Sequence, residues 1–272
     1  MRVSLATDTG HGRPNEDFVG AVPGAVVVLD GVGIPDTADA CRHGVAWYAH
    51  VLGGTVLGLL SRHRERRPAE ALAEAIEVVA ARHRGTCDVA HPASPQATVA
   101  IARLDDDRVD YLVLADAFVV LDRRDTGPDV VADPRDVTAQ RECAAVLDGL
   151  TVGTPQHERA LAAARADLRA RKNRPGGYWI AKDDPRAAAE AVTGSVPLHR
   201  LRGVALLSNG AARVVSPYRL ATWPDLLDGL RRSGPDAVIE RVRRAEADDP
   251  TLGSDDAAIA YWALSNDRPR TA

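Results

Sequence analysis

Lysine is almost missing from this 272-residue chain, which has two (Lys172 and Lys182) against 32 Arg. With 34 basic and 38 acidic residues the formal charge is −4 and the pI about 6.1, so there is no bulk basic field to hold nucleic acid or an anionic membrane. Cysteine is scarce as well. Cys41, Cys87 and Cys143 are scattered with no CxxC, which leaves no disulfide framework and points to a reducing setting. No charged n-region followed by an apolar h-region opens the sequence, and the expectation is a cytoplasmic protein. The long apolar run VAWYAHVLGGTVLGLL (Val45 to Leu60) has 16 residues including Gly53, Gly54 and Gly58. It falls short of the roughly 18–20 residues that span a bilayer, so it reads as a helix buried between layers.

What is present fits a folded globular chain: 45% hydrophobic and 26% charged residues, with no Pro/Ser-rich linker and no internal repeat. Residues 1–272 therefore read as one domain. The acids are lopsided, 28 Asp against 10 Glu. Part of that is compositional bias shared with the Arg and Ala excess, but Asp is also the short oxygen ligand that Mg²⁺ and Mn²⁺ sites prefer. Where the aspartates stand matters more than how many there are.

The pattern predicts short strands at Val3–Ala6, Phe18–Val22 and Ala25–Leu29, the last apolar throughout as in a strand covered on both faces. One helix is expected over about Asp39–Leu60. A second starts near Pro68, with Leu72, Ile76, Val79 and His83 on one face. Hairpin-rich chain follows: Thr98–Leu104, an Asp105–Asp107 turn, Val109–Leu114, Phe118–Leu121 and Asp129–Val131, short sequential strands that imply mostly antiparallel pairing. Helices are expected over about Thr138–Leu150, Gln156–Arg171, Pro224–Arg232 and Pro235–Ala247, with buried strands at Val204–Leu207 and Ala257–Leu264. The economical architecture is α+β, helices layered on antiparallel sheets. His43 and His50 read as packing or hydrogen-bonding residues of the first helix. Arg169–Arg174 reads as a helix end where cations suit the dipole.

Acidic residues stand at the margins of these strands. Val26–Leu29 runs into Asp30-Gly31, Val204–Ser208 runs into Asn209-Gly210, and Asp255-Asp256 precedes the final strand. Glu16-Asp17 lies just before Phe18, and Asp116 between two apolar strands. Each alone is explained as a turn, since Asp-Gly and Asn-Gly are favoured turn pairs.

In order, however, RPNEDF (Arg13 to Phe18), VVVLDGVG (Val26 to Gly33), QATVAIARL (Gln96 to Leu104), LVLADAFVVL (Leu112 to Leu121), VALLSNG (Val204 to Gly210) and GSDDAAIAYW (Gly253 to Trp262) resemble the metal-dependent Ser/Thr protein phosphatases of the 2C type, and GGYWIA (Gly176 to Ala181) and TGSVPL (Thr193 to Leu198) resemble their actinobacterial-like branch. The resemblance implies a four-layer α-β-β-α sandwich, two mostly antiparallel sheets flanked by helix pairs, with two Mn²⁺ or Mg²⁺ ions at one end. It implies hydrolysis of phosphoserine or phosphothreonine in a phosphorylated protein partner by a metal-activated water. No phosphoenzyme is needed, which suits a sequence without GxSxG or CxxxxxR. By the same resemblance Asp30 would bridge the metals with the Gly31 carbonyl beside it, and Asp255 and the residue at 209 would share one ion. Glu16 and Asp17 would order water, and Asp116 would serve a weaker additional metal. Arg13 would bind phosphate, although it lies three residues before Glu16 where four is usual. The main departure is Asn209, where the family has Asp. Asn keeps an oxygen donor but removes a negative charge, and charge count sets much of a divalent site's affinity. Two functions follow: an active phosphatase, or a pseudophosphatase of the same fold that binds a phosphoprotein or partner without turnover.

Overall fold

An apolar run such as Val26–Leu29 needs cover on both faces. In the computed structural model, which describes residues 1–10, 14–34 and 37–264, it receives that cover. Strand β1 spans Arg2–Asp8, β2 Phe18–Val22 and β3 Ala25–Val32. They are followed by β4 (Gln96–Asp105), β5 (Arg108–Leu114), β6 (Phe118–Arg123) and β7 (Gly127–Ala132). Strands β8 (Val192–Pro197), β9 (Leu201–Leu207) and β10 (Ala257–Ala263) complete two five-stranded sheets. Their orders are β1-β10-β9-β6-β7 and β2-β3-β4-β5-β8, with every ladder antiparallel.

Period-two alternation sorts the side chains of β3. Val26 and Val28 enter the core between the sheets with Val113, Val119, Leu206 and Trp262. Val27 and Leu29 point the other way, into a core under α2 (Gly44–Arg62) and α3 (Pro68–His83), which follow the single turn α1 (Thr37–Ala40). The outer face of the other sheet is covered by α7 (Trp223–Ser233) and α8 (Pro235–Asp248) through Leu226, Leu230, Val238 and Val242. Helices α4 (Pro134–Ala145) and α5 (Pro155–Arg171) pack on each other, and a short turn α6 (Asn209–Ala212) follows β9. This is the expected α-β-β-α sandwich.

Four details differ from the sequence reading. The expected helix over Asp39–Leu60 is broken at Cys41–His43, because Gly44 takes φ +80, a conformation that ends one helical turn and begins another. Strands β5 and β6 are not a hairpin. They belong to different sheets, and the chain crosses between them at Ala115–Ala117, where Ala115 adopts φ +59. Helix α4 starts earlier, at Pro134, where the Asp133 carboxylate caps the Arg135 N–H at 3.1 Å, and it ends at Ala145. Strand β8 was not legible as a strand because its sequence, VTGSVP, carries only two large apolar residues among Gly, Ser and Pro: it is an edge strand on β5, where such residues are tolerated. At 19 residues, α2 is long and apolar enough by length and composition to cross a membrane. Its Tyr48, Leu52, Val56 and Leu60 pack into the core over β3 and β4.

Two neighbouring glycines of α2 have opposite surroundings. A Cβ on Gly53 would lie 2.2 Å from the Phe18 ring, whereas one on Gly54 would meet nothing within 4 Å. Gly53→Val is expected to destabilise by about 1–3 kcal/mol through overpacking. Gly54→Ala should stabilise by about 1 kcal/mol, since glycine is a poor helix former at an exposed position. Chemical denaturation of the two variants checks the contrast.

Candidate metal centre

The ends of β3, β9 and β10 meet at one end of the sandwich, and the acids flanking them meet there too. Asp30 lies opposite Thr98 in the β3–β4 ladder, one residue past the end of the β2–β3 ladder, so its backbone is held at a rigid strand end. Asp255 and Asp256 lead into β10, and Asn209 opens α6 directly after β9. Glu16, Asp30, Gly31, Asp116, Asn209 and Asp255 line a single open cleft of about 500 Å³. Next to it a smaller hollow of about 80 Å³ is lined by Glu16, Asp17, Asp30, Gly31, Asp255 and Asp256. That hollow has room for several water-sized occupants. Seven of the eight residues singled out in the sequence therefore converge. The eighth, Arg13, lies outside the described residues.

Asp256, which the sequence reading treated only as a neighbour, organises the loop. Its Oδ2 accepts the Glu16 N–H at 2.7 Å and its Oδ1 the Gly10 N–H at 2.9 Å. The Glu16 carbonyl in turn accepts the Gly31 N–H at 3.1 Å, so the Glu16 backbone is pinned between β3 and the start of β10. The glycine at 210 is sterically required, since a Cβ there would lie 1.9 Å from the Asp256 carbonyl oxygen. His50, as expected, makes a hydrogen bond: its Nε2 lies 3.1 Å from the Asp17 carbonyl.

The electrostatics call for a cation. Asp17 is 2% exposed, and both its carboxylate oxygens are buried without a hydrogen bond of good geometry. Burial above all, with Asp256 and Asp255 adding repulsion, pushes its pKa up to about 8. Asp30 is raised well above the ordinary range, by burial first and then by Asp17, Asp255, Asp116 and Asp256. Asp116 rises to about 6, by burial and then by Asp136 and Asp255. Two cations set beside these acids are already engaged. Arg213 donates to Asp255 Oδ2 at 3.0 Å, and Arg243 is bound to Asp8 and Glu246. Carboxylates gathered at such a cost in desolvation are a donor set for a hard divalent ion, which would supply the missing positive charge.

The opposite side of the cleft is basic. Arg165, Arg169 and Lys172, on and just beyond α5, line it together with Gln140 and Asp136 of α4. Among the described residues neither Arg165 nor Arg169 makes an ion pair. Burial, and then Lys182, lowers the Lys172 pKa to about 8. The run Arg169–Arg174 was thus more than a helix end. Only the folding of α5 over the cleft shows it, because in sequence it lies far from every acid it faces. Asp136 was missed for the same reason.

Comparison with known proteins bears on this arrangement. The family model described as protein phosphatase 2C matches residues 8–242. The chain belongs to the protein phosphatase 2C family. Comparison with curated protein sequences finds no significant match. Among solved structures, this phosphatase-family chain is similar to the serine/threonine phosphatase PstP/Ppp of Mycobacterium tuberculosis, with 17% identity, a TM-score of 0.61 and coverage of 97% of this chain and 99% of that one. It is likewise similar to a bacterial serine phosphatase, at 13% identity and TM-score 0.62 over 99% and 100% of the two chains. A third is the catalytic domain of PstP in complex with two manganese ions, at 15% identity and TM-score 0.57 over 97% and 98%. At these identities the structures share the phosphatase fold.

Proposed function

We propose that this chain, acting as one domain over residues 1–272 in the cytoplasm, hydrolyses phosphoserine and phosphothreonine in proteins with the help of bound Mn²⁺ or Mg²⁺. The observation that carries the reading is the convergence of Asp30, Asp116 and Asp255 on one cleft whose far wall is basic, with Asp17 in the hollow beside it. The relative solved with two manganese ions supports the choice of cofactor. Asp30, with the Gly31 carbonyl beside it, would stand between two cations. Asp255 and Asn209 would hold one of them, and Asp17 and Glu16 would orient water. Asp116, facing Asp136, suits a weaker additional cation. When bound, the ions supply Lewis acidity toward phosphoryl oxygens and a lowered pKa for water.

The protein's own share is positioning. The two sheets hold their strand ends fixed, so the acids need not reorganise as charge moves in the transition state. Arg165 and Arg169 line the cleft without acid partners among the described residues, available to meet a phosphoryl group or the acidic residues around it. The residue after Asp30-Gly31 is Val32, which has no proton to give, so proton delivery to the leaving alkoxide would fall to water.

The test is turnover. Purified protein with Mn²⁺ should release phosphate from phosphoserine and phosphothreonine peptides and from p-nitrophenyl phosphate, and chelation should stop it. Absence of turnover in the fully metal-loaded protein, with retained phosphopeptide binding, would favour the non-catalytic reading. Arg169→Ala and Arg165→Ala are each expected to lower kcat/KM for a phosphopeptide about tenfold, mainly through KM, equivalent to about 1.4 kcal/mol. The effect on p-nitrophenyl phosphate should be smaller, because that substrate has no flanking peptide to contact α5. Steady-state kinetics on both substrates reads the difference.

A further inference from the structure

Away from the acidic cleft, the break between α1 and α2 and the C-terminal end of α3 bring two cysteines and two histidines together. Cys41 and His43 lie in the break, His83 is the last residue of α3, and Cys87 lies in the turn after it. One ligand atom from each residue lies within 4.8 Å of all the others. The Cys41 Sγ is 3.6 Å from His83 Nδ1 and 3.7 Å from His43 Nδ1, and the His43 Nδ1 is 3.2 Å from Cys87 Sγ. Tetrahedral zinc with Zn–S of about 2.3 Å and Zn–N of about 2.0–2.1 Å separates its ligand atoms by about 3.3–3.8 Å. Three of the six separations, at 3.2–3.7 Å, are close to that spacing, and the other three lie within 4.8 Å, so a small closure of the four side chains would seat such an ion.

We propose that Cys41, His43, His83 and Cys87 bind one Zn²⁺ in a closed structural site separate from the phosphatase centre.

The chemistry of the donors selects the ion. Two sulfurs and two imidazoles suit zinc, whereas the oxygen-rich cleft suits Mg²⁺ or Mn²⁺. On binding, the two thiols release their protons to solvent, and two thiolates balance the ion's charge. The resulting centre is neutral overall, which fits a place where Cys41 and His83 are each 2% exposed. The rings are held in position: His43 stacks on Trp47 at 4.4 Å between centroids, and His83 packs against Trp47 and Tyr48. His43 therefore packs as its sequence context suggested, but it also presents Nδ1 to two sulfurs. All four positions come from the protein, so no site remains for substrate and the role is structural. The ion would tie the N-terminal end of α2 to the C-terminal end of α3. Val45, on the first turn of α2, packs against Gly31 of the strand that carries Asp30 and against Gly33 just beyond its end. The clip would thus buttress the cleft without entering it.

The sequence hid this site because Cys41-x-His43 and His83-x₃-Cys87 are separated by a whole helical hairpin, with no CxxC to announce them. Elemental analysis of the purified chain after gel filtration in Mg²⁺ buffer should find about one zinc per chain. That content should be unchanged in Cys143→Ser and in Asp30→Asn. In Cys87→Ser and Cys41→Ser, loss of a direct ligand should lower zinc affinity by about 100-fold or more. Because Cys41 is buried and its variant can fail for reasons of folding, wild-type protein reconstituted with Co²⁺ supplies a second measurement. It should show thiolate-to-cobalt charge-transfer absorption and the intense visible bands of tetrahedral Co²⁺, both bleached by added Zn²⁺. Trace zinc with a weak octahedral cobalt spectrum would overturn the proposal. So would zinc retained by both cysteine variants, or a Cys41–Cys87 disulfide found by mass spectrometry. None of these results depends on phosphatase activity.

Discussion

Asp30→Asn is expected to lower Mn²⁺-dependent hydrolysis of p-nitrophenyl phosphate by about 10³-fold or more, a loss of about 4 kcal/mol of transition-state stabilisation. Asp30 is the acid on which the fields of Asp17, Asp116, Asp255 and Asp256 all act, so it stands at the centre of the charge that a pair of cations would neutralise. The isosteric amide keeps the shape and removes the charge. The same variant should do something opposite in the metal-free protein. A carboxyl whose folded pKa is raised holds its proton more tightly in the folded state, so its stabilising contribution is present at low pH. That contribution is lost as pH climbs from the ordinary carboxylate range toward the raised value, which reaches about 8 for neighbouring Asp17. Removing Asp30 takes away part of this penalty. The metal-free Tm of Asp30→Asn should therefore exceed that of wild type, by more at pH 8 than at pH 5, while Mn²⁺ should shift the variant's Tm far less. Equal hydrolysis rates for wild type and variant would trace the activity to a contaminant and return the protein to a binding role.

Asn209→Asp should move the other way. Asn209 opens α6 on the cleft beside Asp255, and its neighbour Ser208 is committed, its hydroxyl accepting the Ala258 N–H at 2.9 Å. Restoring a carboxylate adds a unit of negative charge to a site whose other acid at this position, Asp255, is partly compensated by Arg213. Changes beyond the direct ligands already alter metal affinity by about 10- to 100-fold, and a gain of at least that order is expected here in Mn²⁺ affinity. The activity gained should be largest at low Mn²⁺. The metal-free variant should be less stable than wild type, because one more acid has joined a crowd of acids short of cations. Calorimetric titration and thermal melts with and without Mn²⁺ measure both effects. If neither moves, residue 209 does not face an ion, and the cleft is completed some other way.

Much of this was legible before folding. The apolar run ending in Asp30-Gly31, the run ending in Asn209-Gly210 and the strand after Asp255-Asp256 each advertise a rigid strand with a carboxylate or amide at its tip, because local hydrophobic period and turn chemistry are written residue by residue. The helix pairs were legible for the same reason: Leu72, Ile76, Val79 and His83 all face the core as their spacing required. The break at Cys41–His43 was not, since it depends on one glycine at positive φ inside a run of good helix formers. Nor was the crossover at Ala115–Ala117, where two strands adjacent in sequence part company into different sheets.

The sequence by itself therefore determined the strands, most of the helices, the antiparallel pairing and the set of acids at strand ends, because those are near-neighbour properties of the chain. Only the tertiary structure decided that seven of the eight candidates line one cleft and the hollow beside it. It alone showed that Asp256 pins the Glu16 loop, that α5 brings Arg165 and Arg169 over the cleft, and that Cys41, His43, His83 and Cys87 meet. Each of those facts joins residues tens to hundreds of positions apart, and such distances are closed by the packing of sheets and helices on a common core, which no local pattern records.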